Sequence, residues 1–159
     1  MRRELSVDLT LYFKHHFPYV NSFQSTKSHT VIIGIGGNIG NVKKRFDKLF
    51  LALLSDARFA ILKSSPLLKN PPFGYLDQDD FINAVMVLKT DLSAFESLKA
   101  FAHYENRYGR KRSFKDAPRT LDIDILFFDD AKINTNKLVI PHPCWHERDS
   151  VTIPLEYVR

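Results

Sequence analysis

Apolar positions change their rhythm at residue 30. Residues 30–35 (Thr-Val-Ile-Ile-Gly-Ile) are an apolar run of strand length. Gly36, Gly37 and Asn38 follow and predict a tight strand-to-helix turn, with Asn38 near the helix start. From Asn41, Val42, Phe46, Leu49, Phe50 and Leu53 recur at helical spacing. Residues 59–63 read as a second strand and 81–88 as a third, apolar enough to sit mid-sheet. Between them, Asn70-Pro71-Pro72-Phe73-Gly74 is neither helix nor central strand, because the prolines remove donors and hold the chain extended. Ser93-Ala94-Phe95-Glu96 is a capping box that opens a second helix. Its predicted buried stripe is Phe95, Leu98, Ala102 and Glu105, and Gly109 ends it. Residues 121–128 form a fourth strand, and Ile133 with 138–140 suggests a small hairpin. Pro141, Pro143 and Pro154 are expected to break up the tail.

The order β-α-β-β-α-β predicts an α+β, ferredoxin-like sandwich with C-terminal additions and two helices on one face. Residues 1–29 read as an N-terminal extension, with 30–159 as the functional domain. Leu9, Leu11 and Phe13 alternate and allow one short added strand. Because every chemical motif lies after Thr30, removal of 1–29 is expected to leave catalysis largely intact.

Length and composition narrow the class. The chain has 159 residues, 44% hydrophobic and 26% charged, which suits one globular domain. Cys144 is the single cysteine, so no internal disulfide or Cys-rich metal site forms. No run is long enough to span a membrane, and the charged start lacks the apolar core of a signal peptide. A soluble, cytoplasmic protein, monomeric and without membrane partners, is expected.

Charge is concentrated. Between Arg107 and Arg119 lie six cations and one anion, Asp116, which equals the +5 net charge of the whole chain. Such a loop attracts phosphates. Beside it, Leu121-Asp122-Ile123-Asp124-Ile125 alternates, so the apolar residues face the core and both aspartates share the other face. Two such carboxylates repel unless a cation joins them, and carboxylates with water suit Mg²⁺. Arginines beside metal-binding acids fit a polyphosphate. Gly34-Ile35-Gly36-Gly37-Asn38-Ile39-Gly40 matches neither the P-loop nor the dinucleotide fingerprint. Asn83 is polar within an apolar strand, and its amide suits the edge of a planar heterocycle, with Phe73 and Phe81 as candidate walls. Two rival readings are a nucleic-acid-binding module and a Mg²⁺-dependent nuclease. The aromatic RNA-binding strand motif is absent, and the paired acids argue against backbone tracking.

Several separated motifs together resemble the 6-hydroxymethyl-7,8-dihydropterin pyrophosphokinase family of folate biosynthesis. They are Gly37-Asn38-Ile39-Gly40, Pro71-Pro72-Phe73-Gly74, Phe81-Ile82-Asn83-Ala84, Gly109-Arg110-Lys111-Arg112, and Pro118-Arg119-Thr120-Leu121-Asp122-Ile123-Asp124. Pro141-His142 and His146-Glu147-Arg148 complete the set. The resemblance implies pyrophosphoryl transfer from MgATP to the pterin hydroxymethyl group, releasing AMP, with no nucleic-acid partner. It implies that Asp122 and Asp124 hold two Mg²⁺ ions and that Arg110, Arg112 and Arg119 are the mobile catalytic arginines. It places Glu105, Arg112, Ile125, Leu138, His142 and Arg148 with ATP. It places Asn70, Pro71, Phe73, Phe81 and Asn83 with the pterin. One departure stands out: Ser150 occupies the position of the second pterin-stacking ring, for which Trp145 is a candidate substitute.

Overall fold

The computed structural model describes residues 1–159. It is a mixed α/β structure with an antiparallel sheet and three helices. The 30–35 run lies within β4 (His29–Gly37), the centre of the sheet. On one side β4 pairs with β7 (Phe81–Thr90), and on the other with β8 (Asp122–Phe128), both antiparallel. The expected second strand is β5 (Phe59–Ser64), and an unexpected strand, β6 (Leu67–Asn70), follows it. Both pair with β7, β5 along its C-terminal half and β6 along its N-terminal half. Pro66 lacks an N–H, so the ladder breaks there. Ser65 bridges the gap: its N–H donates to the Val85 carbonyl, and its hydroxyl accepts from the Val85 N–H, both at 2.9 Å.

Helix α1 (Val42–Leu54) buries Val42, Phe46, Leu49, Phe50 and Leu53, as its spacing predicts. The Asn41 side chain caps it by accepting from the Lys44 N–H. Helix α2 (Ala94–Arg107) opens with the Ser93–Glu96 capping box. Its buried stripe differs from expectation: it is Ala94, Ser97, Ala100, Phe101, Tyr104 and Glu105. Phe95 is exposed, and Leu98 and Ala102 only flank the contact. Small residues at 94, 97 and 100 let the helix approach the sheet, and Phe101 fills the space by stacking on Phe59. Helices α1 and α2 share one core with Ile33, Ile35, Met86, Leu88, Ile123 and Ile125.

A third helix, α3 (Asp149–Glu156), was not expected, because Pro154 reads as a breaker. Pro154 lies in its last turn, where one missing N–H costs little continuity. Val151, Leu155 and Val158 pack on Val85, Val87 and Leu126, on the opposite face of the sheet. The small hairpin forms as β9 (Ile133–Asn134) and β10 (Val139–Ile140).

Residues 1–29 join the same sheet as three short strands. β2 (Thr10–Tyr12) pairs with β6, β1 (Arg2–Glu4) with β2, and β3 (Tyr19–Val20) with β5. Leu11 and Phe17 are fully buried. The Phe17 ring lies 6.1 Å from Phe46 and 5.9 Å from Phe50, within the core under α1.

Candidate active site

The site lies on the sheet face against which α3 packs. Period-2 alternation places Gly34 and Gly36, Asn83 and Val85, and Asp122 and Asp124 on this face. Register sets Gly36 between Asn83 and Asp122, and Gly34 between Val85 and Asp124. The floor is therefore bare backbone between an amide and two carboxylates. Above it is a partly open cavity lined by Asn83, Asp122 and Asp124 among others. Gly36 and Gly37 are strand residues, not the predicted turn. A Cβ at Gly36 would collide with Asn83 Oδ1, and one at Gly37 would lie 2.6 Å from the Thr120 carbonyl oxygen. The turn itself falls later, at Gly40, whose φ is +72°.

The two aspartates differ sharply. Asp122 accepts from Arg110 Nη1 and, at 3.0 Å, from Arg119 Nη1. Burial opposes its charge, but the two guanidinium groups hold its carboxyl below the ordinary value. Asp124 makes no side-chain hydrogen bond or ion pair. Burial, with the Asp122 and Glu105 charges nearby, pushes its carboxyl up to about 7. Glu105 is buried on α2 and accepts from the Ile123 N–H at 2.8 Å and from Arg110 Nη1 at 2.6 Å. Burial raises its pKa against these bonds. It ties α2, β8 and the start of the basic loop together. Arg112 is mostly exposed and reaches Glu105 only at 3.7 Å.

The far rim is an amide pair. Asn83 Nδ2 donates to Asn70 Oδ1 at 2.7 Å, and Asn70 Nδ2 donates to the Pro71 carbonyl at 2.9 Å. That chain leaves Asn83 Oδ1 directed over Gly36 as a free acceptor. Phe81 lies under the Arg119 guanidinium (5.6 Å), and Phe73 under that of Arg148 (4.7 Å). Arg148 Nε is buried without a partner. His142 Nδ1 accepts from the Cys144 N–H at 3.3 Å, which leaves Nε2 as the donor side. Burial and the Arg148 charge lower its pKa, against Asp122.

The family model described as 7,8-dihydro-6-hydroxymethylpterin-pyrophosphokinase (HPPK) matches residues 32–159. The chain belongs to this family. Its activity is pyrophosphate transfer from ATP to hydroxymethyldihydropterin, in folate biosynthesis. A relative from Campylobacter jejuni, the 2-amino-4-hydroxy-6-hydroxymethyldihydropteridine pyrophosphokinase, is 44% identical over 139 residues, covering 87% of this chain and 88% of that one. The enzyme of the same name from Helicobacter pylori is 43% identical over 141 residues, covering 87% and 86%. That of Bacillus subtilis is 37% identical over 123 residues, covering 77% and 74%.

In this HPPK chain the cavity gathers Asn70, Phe73, Phe81, Asn83, Arg119, Asp122, Asp124, His142 and Arg148. A contiguous groove adds Glu105, Arg110, Arg112 and Lys137. Three expected residues lie elsewhere. The Ile125 and Leu138 side chains are in the core under the helices, as the alternation at 121–125 itself demands for Ile125. Pro71 lines neither space. Trp145 does not replace the missing ring, because it packs on Phe127 beneath α3. Ser150 itself lines the cavity. Sequence reasoning missed the role of Gly34 and Gly36, although glycine at every second strand position signals a bare sheet face.

The donor set fits Mg²⁺. Asp122 and Asp124 supply hard oxygens on one face, and the Asp124 carboxyl has no protein partner. No third carboxylate, histidine or cysteine completes a protein-only cage. Mg²⁺ is commonly bound by one or two carboxylates together with water and substrate phosphate.

Proposed function

We propose that the acceptor pterin and ATP meet over the Gly34–Gly36 floor, the pterin toward Asn83 and the triphosphate toward Asp122 and Asp124. The observation that carries this is the register Asn83–Gly36–Asp122. It puts a heterocycle-reading amide and a cation-seeking carboxylate on opposite sides of a side-chain-free strip. Asn83 Oδ1 accepts from the pterin edge, held in place by Asn70. Phe81 and Phe73 bound the ring, and Arg148 over Phe73 stands near Ser150 on the side lacking a second stacking residue.

Asp122 and Asp124 would hold two Mg²⁺ ions, which supply charge neutralisation along the polyphosphate when bound. Arg110 and Arg119, now on Asp122, transfer their hydrogen bonds to phosphate oxygens in the reacting complex, joined by Arg112. His142 Nε2 donates to the same chain of oxygens. The acceptor hydroxyl attacks the β-phosphorus and AMP leaves. Positioning and electrostatics carry the step, and no protein nucleophile is required.

The strand order β5/β6–β7–β4–β8 with α1 and α2 on one face supports the ferredoxin-like plan. We assign the chemistry to residues 30–159 and a folding role to residues 1–29. No helix is long and apolar enough to cross a membrane. We further propose a monomeric, cytoplasmic enzyme without nucleic-acid or membrane partners.

Incubation with MgATP and the hydroxymethyldihydropterin, followed by anion-exchange separation, tests the reading. It predicts pterin-dependent AMP in equal amount to a diphosphorylated pterin. ADP in place of AMP would contradict it.

A further inference from the structure

A single row of the sheet runs from the N-terminal extension to the site. Leu11 of β2 lies opposite Leu68 of β6, and Leu68 opposite Asn83 of β7. Asn83 lies opposite Gly36, and Gly36 opposite Asp122. Residues opposite one another in a ladder point to the same face, with Cβ atoms about 5 Å apart. Leu11 therefore stands on the cavity side of the sheet, with only Leu68 between it and the Asn83 amide. The neighbouring pair has the opposite parity: Leu67 is in the core beneath α1 and α2, and Tyr12, opposite it, packs against that core. Leu11 and Leu68 are both fully buried.

β6 is four residues long, and its last residue is Asn70, whose Oδ1 accepts from Asn83 Nδ2 at 2.7 Å. Thr10, Leu11 and Tyr12 pair along its outer side, so β6 is an interior strand held between β2 and β7. A second contact leads from the extension to α3. The Phe13 ring meets the Tyr157 ring edge to face, with centroids 6.4 Å apart. Tyr157 caps the C-terminal end of α3, and the helix lies against β6 and β7. Its other end places Ser150 and Val151 in the cavity wall. Eight helical residues span about 12 Å as one hydrogen-bonded unit, so a shift at Tyr157 is carried to Ser150. Phe17, from the same extension, is buried on the opposite face, against Phe46 and Phe50 of α1.

We propose that Leu11 and Phe13 are positioning residues for the acceptor side of the site: Leu11 backs Asn70 and Asn83 through Leu68, and Phe13 fixes the end of α3 opposite Ser150. The proposal rests on the substrate assignment above, which puts the pterin at Asn83. Neither side chain touches a substrate. Asp122 and Asp124 stand on β8, two strands beyond β7, so the effect falls on the pterin and spares the phosphates.

The test compares Leu11→Ala, Phe13→Ala and Phe17→Ala in the full chain. Steady-state kinetics are measured with each substrate varied in turn and rates expressed per folded molecule. Leu11→Met and Phe13→Tyr are the rescue variants, since the first keeps the volume and the second the ring. Amide hydrogen exchange is measured on the ligand-free proteins.

In Leu11→Ala and Phe13→Ala, pterin KM should rise about fivefold or more, while ATP KM and kcat stay within about twofold. The rescue variants should return pterin KM to within about twofold of wild type. Phe17→Ala should leave pterin KM unchanged, although it empties a fully buried site. Exchange should rise at residues 67–70 in Leu11→Ala and at 149–158 in Phe13→Ala. An unchanged pterin KM in the folded alanine variants would overturn the proposal. An equal rise in Phe17→Ala would also overturn it, because the cause would then be general loosening. If Leu11→Ala does not fold, Phe13→Ala decides, since that ring is only half-buried. If the wild type shows no pterin-dependent turnover, the activity assignment itself fails. Exchange that rises only within residues 1–29 would then overturn the positioning role, and exchange that spreads to 67–70 and 149–158 would support it.

Discussion

The two faces of the β4–β8 pair share a backbone and differ in everything else. On the helix side, Ile33, Ile35, Ile123 and Ile125 are buried beneath α1 and α2. On the other side, the intervening residues are Gly34, Gly36, Asp122 and Asp124. The apolar face is redundant: many residues share the work of exclusion from water, and neighbours compensate for one another. The open face has no redundancy, since each group has one position and one orientation. The same strand thus separates stability from chemistry by residue parity.

That separation makes ordered predictions. The largest effect is expected from Asp124→Asn, which keeps shape and removes charge. Turnover should fall about 10³-fold, the scale of a lost charge-stabilising group. The thermal midpoint should hold or rise, because a buried carboxylate without a partner is costly. Residual activity within tenfold of wild type would refute the metal-holding role.

Core truncation should give the converse. Ile35→Ala, directly behind the site, should cost about 2–5 kcal/mol in chemical denaturation, and Phe17→Ala about 3–5 kcal/mol. Turnover per folded molecule should change little in either. A chain without residues 1–29 loses Leu11 and Phe17 from the interior, so its stability should fall even where catalysis per folded molecule is kept. A truncation as stable as the full chain would contradict this.

Arg119→Ala should lower kcat about 10²-fold with a smaller effect on ATP affinity. Steady-state kinetics with both substrates varied separates the two. Weaker ATP binding at unchanged kcat would place Arg119 in ground-state binding alone.

The smallest effect lies away from the site. The Arg58 side chain lowers the Asp56 carboxyl to about 2, against burial, with help from the Tyr104 hydroxyl. A folded pKa below the unfolded value adds stability at pH above about 4 that is lost as pH falls through about 2. Asp56→Asn should therefore flatten the acid limb of the stability curve between those values. The difference should stay below about 1 kcal/mol, since Arg58 is half exposed. Denaturant titrations at stepped pH would detect it.

Much of this was legible in the residues themselves. The α1 stripe, the Ser93 capping box and the Asp122/Asp124 parity follow from local periodicity, which tertiary packing did not override. The α2 stripe was misjudged because Phe95 is large and Ala94, Ser97 and Ala100 are small, whereas close helix–sheet approach selects the small ones. Helix α3 was hidden by Pro154, whose cost is low in a last turn. Of the strands in residues 1–29 only β2 had a local signal, the alternation of Leu9, Leu11 and Phe13; β1 and β3 depend on edge pairing, which has none. At the site, residue types pointed to the chemistry, but the hydrogen bonds from Asn38 to Gln78 and from Gln78 to the Asp116 carbonyl join segments far apart in sequence.

The central claim is that substrates meet over a floor kept bare by glycine. The most direct measurement is pterin and ATP-analogue affinity in Gly36→Ala, with the fold checked by its thermal midpoint. The added methyl meets Asn83 Oδ1, so pterin affinity should fall at least about tenfold, on the scale of one lost hydrogen bond to a buried polar group. ATP-analogue affinity should stay within about threefold, because the atoms nearest the added methyl belong to Asn83 and Ile82 and not to Asp122. Unchanged pterin affinity in a folded variant would contradict the account.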